Sequence, residues 1–521
     1  MSGKKVLDCA AATHSRFMIS SRRTQIIDCL GGALVALWLV MIGLLIYKTH
    51  FQKSIQSDEI VSETVALKET ERNWMEIYLK DAKVGYSMTR IDPVEEDFII
   101  WEEVVLNLSL MGQPSVMRTN IRSLVDRRFR LKRFTLGVES GIVRFHMSGT
   151  VEDGQVLIET GRGNRKKTRA IPLKGPPVTG GAISLFFRGR PLNVGESFSF
   201  LMFDPSTMAQ KSMVITVAAR ESVVINRIRY KTFRLETEMW GQKLTFWVDE
   251  SGEMLKEKGF LGLTLMRSNA STATRDLEGE ESFDFYEMAS VPVKPKLQEA
   301  ERLTCLKLKI EGLDRGALDA EVLNSGRQRF SDNIIQIRQE NLPLRPEYLL
   351  PWTDVPESMR PYLQPEFNIE SDDPAIVEQA RRIVGLTRDP AAAARKLLAW
   401  VYSHIEKMPV LSIPSAAEVL KTRSGDCNEH AALLTALLRA IGIPARECIG
   451  LVYANDRFFY HAWTEAYLGR WISMDATLNQ MPTDATHLKL IQGGLERQTD
   501  IIPLIGKLKL SAADCRNDTT D

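Results

Sequence analysis

From Trp74 to about Pro292 the chain alternates between apolar and polar residues with a period of two, and this texture constrains the fold more than any other feature. In "VVLNLSL", Val104, Leu106, Leu108 and Leu110 fall on one face. "SFSFLMF", "SMVITVAA" and "KLTFWVDESGEMLKEKGF" continue the pattern, with Gly, Asn and Asp marking the turns. Successive side chains of a strand point to opposite faces, so such runs specify strands with one buried face. The reading is an antiparallel β domain over residues 74–292. It holds no internal sequence repeat and no catalytic constellation, so its function is not readable from sequence.

A chain of 521 residues exceeds one core; at one domain per ~150 residues, about three units are expected. Hydrophobic residues make up 44% and charged residues 26%, which fits globular units and not a disordered chain. The net charge of +1 gives no basis for a nucleic-acid partner. The one marked basic run, "RGNRKKTR" at Arg162–Arg169, reads as a solvated hairpin tip.

The run Cys29–Tyr47, "CLGGALVALWLVMIGLLIY", carries no charge. At ~1.5 Å per residue it is long enough to cross ~30 Å of hydrocarbon. No small-residue cleavage site follows it, which favours an uncleaved signal anchor over a signal peptide. Lys4, Lys5, Arg16, Arg22 and Arg23 precede the run, so the N-terminus is expected in the cytoplasm. The expectation is a single-pass protein of a bacterial inner membrane, with the bulk of the chain periplasmic. Six cysteines are scattered without a C-x-x-C pair, so disulfides are not expected to hold the chain together.

The expected organisation is a cytoplasmic tail (1–28), a transmembrane anchor (29–47), a helical stalk (48–73) and the β domain (74–292). A small β segment with a proline-rich linker (293–365), a C-terminal α+β domain (366–495) and a tail (496–521) follow. The overall class is therefore expected to be α+β. In the C-terminal domain, Asp373-Pro374 and Asp389-Pro390 each pair an N-cap with a proline at the first helical position. After the second pair, Leu397, Leu398, Val401, Tyr402 and Ile405 recur at helical spacing.

The stretch "SGDCNEHAALLTALLRAIGIPAR", Ser424–Arg446, is a third helix with both ends marked. Asp426 can cap it, Glu429 completes a capping box, and Gly442 with Pro444 ends it. Cys427 is then the first helical residue. Unpaired amides and the helix dipole favour a thiolate there, so a lowered pKa is expected, and the same amides can receive an oxyanion. The competing reading is a small buried residue that merely starts a helix. Downstream, "FFYHAWTEAYLGRWISMDAT" reads as strand, turn, strand, with His461 on the first strand and Asp475 on the second. A nucleophile needs a base, and the base an orienting group; Cys427, His461 and Asp475 supply that set.

These two stretches resemble the transglutaminase-like superfamily, whose core is papain-like. The resemblance spans Asp373 to about Gly493 and covers the G-x-C helix start, the L-L-R-A-x-G-I-P-A-R tail, the H-x-W strand and the W-x-x-x-D strand. It implies that Cys427 is the nucleophile, His461 the general base and Asp475 the residue that orients the imidazole. It also implies acyl transfer on protein or peptide amides, by a cysteine peptidase, an amidase or a transglutaminase. No cofactor and no metal are expected, because the single C-x-x-H at Cys427 and His430 is a weak zinc pattern, even with His461 and Cys448 nearby. Expected partners are a protein or peptide substrate, the membrane, and envelope proteins through the β domain. The alternative is a catalytically inactive, membrane-tethered binding or assembly module. His430 and Cys448 read as packing, Trp463 reads equally as a shield over the His–Asp pair or as a core aromatic, and His487 receives no role.

Strand register makes one further demand. A two-residue turn at Gly469-Arg470 would put His461 and Asp475 on opposite faces. An odd-length turn, or a bulge, brings them to one face, with Gly469 in a left-handed conformation.

Overall fold

The computed structural model describes residues 54–56 and 69–513, apart from 111–112, 141–142, 161–166, 240, 276–283, 285–286, 288, 314–317, 409–414, 495–496 and 498. Fifteen strands between Ser54 and Ser268 form one continuous sheet. Neighbouring strands are antiparallel, save Ser54–Gln56, which lies parallel to Ser197–Asp204. Most pairs are sequential hairpins. Besides the Ser54–Gln56 pairing, the exception is Glu71–Leu79 against Leu263–Ser268, which joins the two arms of the sheet.

Both arms face one core. Phe134, Leu136, Val156 and Ile158 come from one arm, and Phe198, Phe200, Ile215 and Val217 from the other. The short helix Gly180–Phe186 links the arms and inserts Phe186 between them, its ring 5.5 Å from Phe198 and 5.0 Å from Phe200. Val104, Leu106 and Leu108 share a smaller cluster with Ile77 and Val84, as their alternation requires. Val105 is also buried, against Tyr86, so this part of the sheet is covered on both faces.

Two expectations need correction. The class is mostly β, with 49% strand against 20% helix, and not a balanced α+β, because the long strands of the rolled sheet outweigh the helices. The single-pass membrane layout is also overturned: among the described residues no helix is long and apolar enough to cross a membrane. The longest, Pro390–His404, has 15 residues, about 22 Å at ~1.5 Å each. The run Cys29–Tyr47 itself lies outside the described residues. Where described, the expected helical stalk is extended, with strands at Ser54–Gln56 and from Glu71.

The C-terminal half is built on a second sheet. Its helices are α1 (Pro374–Val384), α2 (Pro390–His404), α3 (Ala416–Thr422) and α4 (Cys427–Ala440). Its site-bearing strands are β1 (Ala445–Ala454), β2 (Arg457–Tyr467), β3 (Trp471–Met474) and β4 (Leu488–Gln492). The Asp373 and Asp389 caps form as their sequence requires, accepting from the amides of Ala375 at 2.9 Å and Ala392 at 3.0 Å. Strand β2 is central, pairing with β1 on one side and with β3 and Val291–Lys294 on the other. The sheet continues through Lys509–Ala513, Cys305–Glu311, Ile334–Arg338 and Gln328–Ser331. Cys305 is disulfide-bonded, which its scattered spacing did not suggest.

Candidate active site

Cys427 is the first residue of α4, and local sequence explains why the helix begins there. The Asp426 carboxylate accepts from the Asn428 amide at 2.8 Å and from the Glu429 amide. Glu429 reaches back to the Asp426 amide at 3.0 Å and closes the capping box. From Glu429 to Arg439 every residue of α4 is buried. Helices α1 to α3 cover one side, and β1 and β2 the other. With both sides covered, the axis of α4, and so the placement of Cys427, is fixed by packing.

Alternation along β2 separates two faces. Thr464 points toward α4, its hydroxyl 3.1 Å from that of Thr435 and 3.3 Å from the Ala431 carbonyl. His461, Trp463 and Glu465 occupy the other parity. The backbone of Ala462, next to His461, favours the ionised form of the Cys427 thiol. The turn after β2 has three residues: Tyr467 pairs with Trp471, and Thr464 with Met474. Gly469 takes a positive φ of 95°, and the Leu468 amide donates to the Arg470 carbonyl at 2.8 Å. The odd turn length sets the parity that the site requires. His461 Nε2 donates to Asp475 Oδ2 at 2.6 Å.

Asp475 is fully buried and ionised. Burial opposes its charge, but His461 and His487 outweigh burial and hold its pKa far below the usual carboxylate range. Its other oxygen, Oδ1, accepts from the amides of Thr477 at 2.7 Å and Leu478 at 3.1 Å. Trp463 is 1% exposed. It lies nearly parallel to the His461 ring at 6.4 Å and edge-on to His487 at 5.3 Å, walling both from water.

The thiol departs from expectation. Burial, then the Asp426 charge, push the Cys427 pKa well above its ordinary value, against the opposing hydrogen bond from Ala462. The capping carboxylate also occupies the Asn428 and Glu429 amides, which removes them as oxyanion donors. The resting group is a thiol, and the helix end alone does not ionise it.

The structure thus joins His461 to Asp475 directly, and Cys427 begins the helix that packs on the strand bearing His461. His430 is buried beneath, with Nδ1 donating to the Asp426 carbonyl at 2.6 Å, and burial lowers its pKa. Cys448 is fully buried in β1, its pKa pushed up by burial. It neighbours a buried charge cluster in which Glu465 bonds Lys489 at 2.7 Å and Arg446 at 2.6 Å.

Sequence reasoning missed His487 and Asp484. His487 Nε2 is 3.0 Å from Asp475 Oδ2, and Nδ1 is 3.3 Å from Asp484 Oδ1. The acid three residues before the histidine was the only available signal. His461, Asp475 and His487 offer nitrogen and oxygen atoms within 4.8 Å of one another, a set that can in principle hold a metal. Both ring nitrogens are instead hydrogen-bonded directly to the shared carboxylate oxygen, and the group reads as a proton-bonded chain.

Residues 377–476, which contain all three predicted site residues, match the family model of the Transglutaminase-like superfamily. The C-terminal domain is transglutaminase-like. Outside it, residues 103–262 match a family described as Protein of unknown function (DUF3108). No curated protein matches the chain. Among solved structures, a candidate cysteine protease from Cytophaga hutchinsonii is similar at 20% identity and a TM-score of 0.29, over 42% of this chain and 88% of its own. A β-barrel-like protein of a domain of unknown function (DUF1849) from Brucella abortus is similar at 11% identity and a TM-score of 0.30, over 38% of this chain and 95% of its own. A candidate protease from Parabacteroides distasonis shares 11% identity at a TM-score of 0.19, over 66% of this chain and 68% of its own. These likenesses are too distant to add to what the transglutaminase-like match establishes.

Proposed function

We propose that the transglutaminase-like domain is a cysteine acyl-transfer enzyme acting on protein or peptide amides through Cys427, His461 and Asp475. The observation that carries this reading is the 2.6 Å bond from His461 to a buried Asp475, in a domain where Cys427 begins the helix packed on the strand that bears His461. His461 Nδ1 takes the thiol proton as sulfur attacks the amide carbon. The C–N bond then breaks, the amine leaves with that proton, and a thioester remains. Water gives hydrolysis, and an amine gives cross-linking. Asp475 keeps the proton on Nε2 and stabilises the imidazolium formed during attack.

One observation favours a non-catalytic binding role instead, namely the raised pKa of the Cys427 thiol. Iodoacetamide alkylation of the full chain at neutral pH, mapped by peptide mass, separates the two. An acyl-transfer site predicts that Cys427 reacts about 100-fold faster than in His461→Ala, the rate expected of base assistance. Cys448 stays unlabelled until the protein unfolds. Equal, slow labelling of Cys427 in both proteins would leave the binding role standing.

A further inference from the structure

We propose that His487 is a positioning residue for this site: anchored by Asp484, it clamps Asp475 and offsets its charge toward His461. The inference rests on the acyl-transfer reading above. Asp475 Oδ2 receives two imidazole nitrogens, at 2.6 Å from His461 and 3.0 Å from His487. A second carboxylate, on Asp484, stands at the far nitrogen of His487, 3.3 Å away. An imidazole that faces a carboxylate at each nitrogen donates through both, and is then a cation. His487 is 0% exposed, so neither pairing is shared with solvent. Burial disfavours the cation, but its hydrogen bonds to Asp475 and Asp484 outweigh burial and raise the His487 pKa.

The anchor is itself built. Asp484 Oδ1 accepts from the Thr486 amide at 2.8 Å and its hydroxyl at 2.6 Å, and Oδ2 accepts from Gln480 at 2.8 Å. Burial opposes the charge on Asp484, but His487 and Thr486 lead the groups that hold its pKa down at about 2. Charged and titratable groups from every neighbouring element bear on the pair. Cys427 and His430 of α4 feel the Asp475 charge. His461 approaches from β2, its ring 6.0 Å from that of His487. Arg327 donates to the Asp484 carbonyl and is balanced by Glu340 at 3.3 Å.

The chemical consequence concerns proton transfer. A lone buried carboxylate holds a neighbouring imidazolium tightly. A base must accept the thiol proton and then release it to the leaving amine, so a proton held too tightly slows turnover. With the His487 charge behind it, Asp475 keeps its orienting hydrogen bond while its pull on the His461 proton weakens.

The test is the pH dependence of Cys427 acylation by p-nitrophenyl acetate in the full chain, for wild type, His487→Gln and Asp484→Asn. Loss of the His487 charge is expected to move the acid limb of the profile up by about one pH unit. Asp484→Asn, which removes the distal anchor and keeps the ring, should move it the same way by less, and it serves if His487→Gln does not fold. Rates that fall equally at all pH values with the limb unmoved, or a limb that moves down, would overturn the inference and leave His487 as packing. Absence of acylation in wild type would remove the acyl-transfer reading itself, and this inference with it.

Discussion

Gly450 lies directly opposite His461 in the antiparallel pair of β1 and β2. A Cβ at Gly450 would come within 1.9 Å of the Leu488 carbonyl oxygen and 3.0 Å of the Trp463 ring. The register between β1 and β4 also shifts at Ile449/Gly450. Only a residue without a side chain permits this approach. Gly450→Ala should therefore push β4 outward, displace Trp463 and loosen the His461–His487 wall. Overpacking of this kind costs about 1–3 kcal/mol. A lowered urea midpoint, together with slower Cys427 alkylation, is the expected result.

The parity of the turn after β2 makes a sharper demand. Three residues, Leu468 to Arg470, separate the paired Tyr467 and Trp471. Deleting Arg470 forces a two-residue turn, which flips every β3 side chain and carries Asp475 away from His461. Inserting two glycines after Gly469 lengthens the loop and leaves the Tyr467–Trp471 pair intact. The deletion should bring Cys427 alkylation down to the level of His461→Ala, and the insertion should keep most of the wild-type rate. Circular dichroism distinguishes a flipped hairpin from an unfolded domain.

Gly425 controls the helix start. A Cβ there would meet Glu429 Cβ at 2.3 Å and Cγ at 2.5 Å. Gly425→Ala should displace Glu429 from the Asp426 amide and open one half of the capping box. Loss of a cap costs about 1 kcal/mol, readable as a small fall in denaturation midpoint. Because Cys427 is the next residue after the cap, its alkylation rate should fall as well.

What was legible in sequence was local or periodic. Asp426, Glu429, Gly442 and Pro444 fixed both ends of α4, and Gly442 takes the expected positive φ of 85°. Parity arguments placed His461 and Asp475 on one face. Alternation marked the strands of the large sheet, but not the closure of Glu71–Leu79 on Leu263–Ser268. Each strand's pattern fixes its buried face, and nothing in it names a distant partner. Tyr402 shows the same limit on a helix: it falls in the apolar stripe, yet it is 39% exposed, with the Lys407 ammonium 4.0 Å from its ring centre. The Cys427 thiol was misread because its burial is tertiary, and because the adjacent Asp426, legible in sequence, was read as a cap and not as a charge opposing the thiolate. His487 and Asp484 were missed because a buried ion pair within a loop has no period.

Glu465 should carry part of the acid sensitivity of the domain. Burial opposes its charge, but Lys489 and Arg446 outweigh burial and hold its pKa down at about 2. The folded pKa is depressed below an unfolded value of about 4.3. Its stabilisation is therefore fully present above that value and is lost as pH falls toward 2, on the order of 3 kcal/mol over the window. Glu465→Gln removes this linkage and also leaves Lys489 and Arg446 buried without a carboxylate. Removing one partner of a buried ion pair typically costs about 3–5 kcal/mol, so the variant should be less stable at pH 7. Its further loss between pH 5 and pH 2.5 should be smaller than that of wild type. Urea midpoints at pH 7, 5 and 2.5 check both statements; a variant with the wild-type slope would show that the cluster is not what titrates.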